Sequence, residues 1–178
     1  MLKATLSKAA AGLILASALA TSAFASGSHP TLYIGSTTID SHDSATAFGF
    51  GVDMIKGFDS GVEAGMDINI LYASIGDGYD TSTNAGLDLI IGYNFDKKLQ
   101  VPIAVKAGLG YGFGKIGNSV TMKGPQYSAA VEWDITSKLG IGVKYLYQDF
   151  TASYIFADAD LPIDNYLGYV YYKFKATK

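Results

Sequence analysis

Residues 86–95 read Gly-Leu-Asp-Leu-Ile-Ile-Gly-Tyr-Asn-Phe. On an extended chain Leu87, Leu89, Ile91, Tyr93 and Phe95 share one side, while Gly86, Asp88, Gly92 and Asn94 share the other. Such a segment is a strand with one apolar face and one small or polar face. The same period recurs on both sides of it. Before it come Thr31–Ile39, the faintest, then Ala45–Ile55 and Gly61–Tyr72; after it come Leu99–Tyr111, Pro125–Ile135, Leu139–Tyr147 and Asn165–Phe174. Pro102 lacks a ladder donor and is expected at a rim. The sum is roughly eight strands of about the 9–11 residues that a membrane strand needs.

What precedes the strands is different. Met1–Ala25 opens with Lys3 and Lys8, continues with an apolar run from Ala9 to Ala20 and ends on Ala23-Phe24-Ala25. That is the pattern of a cleaved export signal, and the run is too short for a transmembrane helix. The expected organisation is a signal peptide over 1–25 and one barrel domain over 26–178. Beyond the leader, 11 Lys face 16 acidic residues, a net charge of −5, and the chain has no Arg. No basic patch forms, so nucleic acid is not an expected partner. The chain has no Cys, so no disulfides staple the fold.

Spacing also points to a barrel in a membrane. Lys56–Ser60, Asp96–Lys98 and Thr136–Lys138 are tight connections, whereas Tyr72–Thr83, Gly112–Gly124 and Asp149–Asp164 are expected to be long loops. Outer-membrane barrels show this asymmetry. Reflection across the tight turns sets Met54 opposite Val62, Phe95 opposite Leu99 and Ile135 opposite Leu139, apolar against apolar each time. Aromatic residues gather at strand ends: Tyr93, Phe95, Trp133, Tyr172 and Phe174 toward the tight turns, and Phe48, Tyr72, Tyr111, Tyr127 and Tyr147 toward the long loops. Two belts suit the two membrane interfaces, so the apolar face is expected to meet lipid.

Tyr169-Val-Tyr-Tyr-Lys-Phe174 is similar to the terminal strand of outer-membrane proteins, whose alternating aromatic positions are read by the barrel-insertion machinery. Over about Thr31–Phe174 the chain resembles the small, porin-like family of OmpA-like and opacity-type outer-membrane β-barrels. The resemblance implies an all-β, antiparallel, up-and-down transmembrane barrel in a bacterial outer membrane. It also implies periplasmic chaperones during assembly and contact with membrane lipid and lipopolysaccharide. Family members commonly end on the aromatic residue; here Lys175-Ala-Thr-Lys178 follows.

The polar face holds the candidate site. The same reflection sets Asp88 opposite Lys106 and Glu132 diagonal to Lys144, as structural ion pairs across the lumen. Asp53 and Glu63 fall opposite each other with like charge and need a cation, a proton or a third group such as Lys173. Glycines on this face leave room for water and keep a narrow conducting path in view. Acidic residues crowd the expected long loops, from Asp40 and Asp43 to Asp77, Asp80, Asp149, Asp158, Asp160 and Asp164, against Lys115 and Lys123 alone. Carboxylates there suit divalent cations bridging to lipopolysaccharide phosphates, though no defined metal site follows.

Catalytic patterns are weak. His29 and His42 are the only histidines, and Ser41-His42-Asp43 cannot converge as a relay on an extended chain. The Gly-rich run Gly108–Lys115 has Leu109 where a phosphate loop needs its first Gly. The expectation is a monomeric, non-enzymatic barrel without cofactor or metal, serving as a structural or surface-interaction protein. A narrow porin, a lipid-modifying enzyme and a soluble ligand-binding barrel are the alternatives.

Overall fold

The computed structural model describes residues 27–40, 44–75, 80–117, 120–153 and 158–174. The expected signal peptide, His42, Asp43, Asp77 and the tail from Lys175 lie outside them. Eight strands follow one another: β1 (Ser28–Ile39), β2 (Ala45–Gly57), β3 (Val62–Ile75), β4 (Asp80–Asn94), β5 (Ile103–Ile116), β6 (Val120–Asp134), β7 (Leu139–Ser153) and β8 (Asp158–Tyr172). Each pairs antiparallel with the next, and β1 pairs with β8 to close an up-and-down barrel. Closure removes the unpaired edges that an open sheet of this composition would expose. His29, expected in an N-terminal tail, belongs to β1, because Ser28–Pro30 pair with Val52–Met54.

The apolar face points outward. Leu87 is 44% exposed and Leu89 67%, while Asp88 between them is fully buried (0%). The lumen holds the polar residues and the exterior holds Leu, Ile, Val and aromatic side chains, the reverse of a soluble ligand-binding barrel. Pro102 lies just before β5, at the rim where the turns gather.

That near rim carries the connections 58–61, 95–102 and 135–138, the second of which includes a one-turn helix α1 (Asp96–Leu99). Gly61 takes φ +91°, a left-handed conformation that tightens the first turn, where Phe58 N–H donates to Val62 O at 2.8 Å. Two registers differ from expectation. Met54 pairs with Met66 rather than Val62, and Asn94 with Ala104, so that Phe95 N–H donates to Ile103 O rather than meeting Leu99. Both shifts are even, and so every side chain keeps its face. The third hairpin has the expected register, with Ile135 N–H donating to Leu139 O.

The far rim corrects a second expectation. The segments Tyr72–Thr83, Gly112–Gly124 and Asp149–Asp164 are not loops. Pairing continues to Ile75↔Asp80, Ile116↔Val120 and Ser153↔Asp158, leaving residues 76–79, 117–119 and 154–157 between strands. A 15-residue strand spans about 50 Å, or roughly 35 Å along the barrel axis when tilted. Outward residues at the far ends of β4, β5 and β6 include Thr81, Lys115, Thr121 and Lys123, so the apolar belt stops short of the far rim.

Candidate functional site

Among the described residues, buried charged side chains are concentrated in the lumen. The inward residues at the near rim come from β1, the ends of β6 and β8, and Lys173 just past β8. Lys173 Nζ is 2.5 Å from Asp134 Oδ2, and Tyr171 O–H donates to Asp134 Oδ1 at 2.6 Å. The His29 ring stacks on Tyr171 at 5.8 Å between centroids.

One step further in, Lys106 from β5 bridges Asp53 Oδ2 at 3.0 Å and Glu132 Oε1 at 2.6 Å, and Tyr169 O–H donates to the same Glu132 oxygen at 3.0 Å. Lys144 from β7 crosses the barrel to Asp67 on β3 and lies 5.6 Å from the centre of the Tyr33 ring. Asn69 Nδ2 donates to that aspartate as well. Lys144 thus reaches a carboxylate across the lumen, and Lys106 ties Asp53 on β2 to Glu132 on the adjoining β6. Burying such charges is tolerable because partners and extra hydrogen bonds replace water.

A ladder of amides comes next. Gln126 Nε2 donates to Asp88 Oδ1 at 2.6 Å, and Gln148 Nε2 donates to Gln126 Oε1 at 3.0 Å. Gln148 Oε1 accepts from Asn84 at 3.2 Å and from Asn165 at 3.3 Å. Beyond it the lumen turns apolar, with Met122, Phe150, Ala152, Leu161 and Ile163 packed together under the far rim. Among the described residues the charged layer leaves one small void of about 20 Å³, beside Asp53, Lys106, Lys144 and Tyr169. That is room for about one water molecule.

Two of the expected pairings give way to others. Asp88 lies opposite Gly110 and Lys106 opposite Gly92, so the Asp88–Lys106 pair is absent; Asp88 takes Gln126 and Ser128 instead. Asp53 faces Asp67, not Glu63, which lies opposite Gly57 and accepts from Asn94 Nδ2 at 3.1 Å. The like charges at Asp53 and Asp67 each meet their own lysine. Glu132 is diagonal to Lys144, as expected, since Glu132 pairs with Gly142 and Ala130 with Lys144, yet its cation is Lys106. Lys173 serves Asp134. The register shifts explain the first two changes. The rest arise because reflection across the tight turns compares neither β5 with β6 nor strands that meet across the lumen.

The lumen glycines hold no open path. A Cβ at Gly86 would sit 2.1 Å from Gln126 Nε2, one at Gly140 2.2 Å from the Tyr171 ring and one at Gly142 2.4 Å from the Tyr169 ring. Their space is occupied by a large side chain, from β6 two strands away at Gly86 and from the adjoining β8 at Gly140 and Gly142. Asp67, Asn69, Gln126 and Gln148 lie on the polar face by alternation alone, but nothing in the sequence pairs them. Tyr33, Tyr169 and Tyr171 are inward tyrosines that alternation also places on that face.

The belt residues are where strand ends put them. Tyr93 and Phe95 meet edge-on at 5.0 Å, and Tyr172 and Phe174 at 4.9 Å, toward the near rim, where Trp133 is 57% exposed. Phe48 stacks on Tyr72 at 5.6 Å and Tyr127 on Tyr147 at 6.3 Å in the opposite half, with Tyr111 exposed beside them. No group of three or more His, Asp or Glu able to hold a metal occurs among the described residues.

No family model matches the chain, and no curated protein does. Solved structures do. The attachment invasion locus protein Ail of Yersinia pestis, in complex with the heparin analogue sucrose octasulfate, is similar with TM-score 0.59 at 12% identity, over 83% of this chain and 98% of that one. The fold is that of the small outer-membrane barrels. Neisserial surface protein A is similar with TM-score 0.55 at 13% identity, over 83% of this chain and 96% of that one. The outer membrane enzyme PagL is similar with TM-score 0.53 at 14% identity, over 83% and 99%. One barrel therefore serves an attachment protein, a surface protein and an enzyme, and fold alone does not choose between them.

Proposed function

We propose that this chain is a monomeric, non-enzymatic barrel of the OmpA-like or opacity type, resident in a bacterial outer membrane, with a structural or surface-interaction role. One observation carries the reading: along the described strands the lumen holds ion pairs, an amide ladder and an apolar plug, and the void in its charged layer has room for about one water. A barrel of eight strands whose interior is packed in this way is a scaffold, and what it offers is its outer belt and far rim. The belt of Leu, Ile and aromatic residues supports residence in lipid. Assembly would then draw on periplasmic chaperones and on the insertion machinery, which would read the aromatic alternation of β8.

The enzymatic alternative lacks a constellation among the described residues. His29 is packed against Tyr171, and neither its Nδ1 nor the hydroxyl of Ser28 has a hydrogen-bond partner. A nucleophile and a base in contact are the least that such chemistry needs.

Planar-bilayer recording tests the reading against the narrow porin. The folded barrel should give no resolvable single-channel steps in 1 M KCl. Regular steps that vanish when the protein is heat-denatured would make it a pore and overturn the scaffold reading.

A further inference from the structure

We propose that the outer face of β4–β6 at the far rim binds the phosphorylated headgroup of a surrounding membrane glycolipid, with Lys115 and Lys123 as its charge-bearing ligands. The inference rests on the proposed membrane residence and deepens it.

A groove of about 620 Å³ lies there, with Thr83, Thr121, Lys115 and Lys123 around a floor that includes Ala85 and Phe113. The ladder sets Thr83 opposite Lys115, Lys115 opposite Thr121, and Phe113 opposite Lys123. Two ammonium groups on adjacent strands thus point the same way, flanked by hydroxyls. Both lysines are exposed, and among the described residues neither is in an ion pair. The buried lysines Lys106 and Lys144 are neutralised by carboxylates; these two are not.

Height on the barrel selects the ligand. Lys115 stands four residues beyond Tyr111 on β5, and Lys123 stands four residues beyond Tyr127 on β6, both toward the far rim. Four residues of tilted strand raise a side chain about 9–10 Å along the barrel axis. Belt tyrosines mark the edge of the hydrocarbon, so the ammonium groups reach the headgroup layer. Phe113, exposed two residues below Lys115 and beside Lys123, lies where acyl chains begin. An apolar floor under paired cations and hydroxyls matches an amphiphile with phosphate above and acyl chain below.

Charge around the rim gives the groove its direction. Asp149, Asp158 and Asp160 are exposed on β7 and β8, so the rim is acidic on that side and basic over β5 and β6. A phosphate is drawn to one side and repelled from the other. Two cations converging on one phosphate make charge-assisted hydrogen bonds, which a neutral sugar headgroup cannot accept as strongly. Lipopolysaccharide, with phosphates on its acylated sugars, is the glycolipid of this class in an outer leaflet.

The test begins with the full chain refolded in phosphatidylcholine vesicles. A band that shifts on boiling reports the barrel, and its absence would sink the membrane reading itself rather than the site. Binding of diphosphorylated lipid A is then measured on the detergent-solubilised barrel by native mass spectrometry. Lys115→Ala/Lys123→Ala should weaken it about tenfold, Lys115→Arg/Lys123→Arg should retain it, and dephosphorylated lipid A should bind poorly throughout. Lys97→Ala/Lys98→Ala, two exposed lysines on the near rim, should leave binding unchanged. Equal binding by the double alanine variant, or equal retention of dephosphorylated lipid, would overturn the proposal. Displacement of the lipid by millimolar inorganic phosphate would show a free-anion site and also overturn it. So would lysine-dependent dimers, which would put a second copy's acidic rim in the groove.

Discussion

At the scale of the residue, the lumen depends on which charges lose their partner. Lys106 is the only cation contacting both Asp53 and Glu132 among the described residues. Removing it leaves two carboxylates in a site with room for about one water. Lys106→Ala should therefore cost about 3–5 kcal/mol of barrel stability, the usual penalty for orphaning a buried charge. Lys173 and Asp134 are partly open at the rim, 24% and 21% exposed, and water can replace the pairing there. Lys173→Ala should cost about 1 kcal/mol or less. Urea unfolding in vesicles, followed by the boiling-sensitive gel band and by Trp133 fluorescence, ranks the two. Equal losses would mean that the bridge of Lys106 contributes no more than a surface pair.

At the scale of the element, adjacent strands fit by trading a side chain for its absence. On β7 and β8 the pairs are Gly140↔Tyr171 and Gly142↔Tyr169, each ring lying over the bare glycine. A methyl group at 142 would meet the Tyr169 ring, which is buried and bonded to Glu132. Gly142→Ala should then cost about 1–3 kcal/mol by overpacking. Gly168→Ala, on the lipid side of β8, has its nearest contact at 3.7 Å and should fall within about 0.5 kcal/mol of the parent. Calorimetric unfolding temperatures of the two variants check the contrast, and equal shifts would refute it. This pairing of Tyr with Gly was only half legible beforehand. Alternation placed Gly142 and Tyr169 on the same face, because one face meets lipid and the other does not. It could not show that they pair, because pairing of β7 with β8 runs through residues 149–164, where outward side chains no longer meet hydrocarbon and the period-2 signal fades. The registers of β2–β3 and β4–β5 missed by four residues for a related reason: turn length depends on Gly61 and α1, backbone features that hydrophobic pattern does not encode. Asp53 for Lys106 and Asp67 for Lys144 were out of reach altogether, because those partners meet across the lumen only when the sheet closes. Glu132 beside Lys106 depended on a β5–β6 register that no tight turn sets.

At the scale of the whole molecule, the two rims differ in what each would carry across a bilayer. The near rim holds Lys56 at the end of β2 and Lys97, Lys98 and Lys138 in its turns, whereas exposed lysines at the far rim are Lys115 and Lys123 among the described residues. Dragging a lysine through the midplane costs about 2–4 kcal/mol, more than an aspartate does. Insertion from the inner side of the membrane therefore goes most easily with the far-rim hairpins leading and the near-rim turns left behind. The acidic strands and the Lys115–Lys123 groove then face outward, and the near rim faces inward. The chain has no cysteine, so single reporters can be placed cleanly. Thr46 on β2 is exposed at the far rim, and Ser137 is exposed in the turn between β6 and β7. In intact cells a membrane-impermeant maleimide should label Thr46→Cys and leave Ser137→Cys unlabelled until the outer membrane is permeabilised. The opposite pattern would invert the barrel and set the groove against the inner leaflet. It would then have to bind phospholipid rather than a phosphorylated glycolipid, since only the leaflet it faces can supply its ligand.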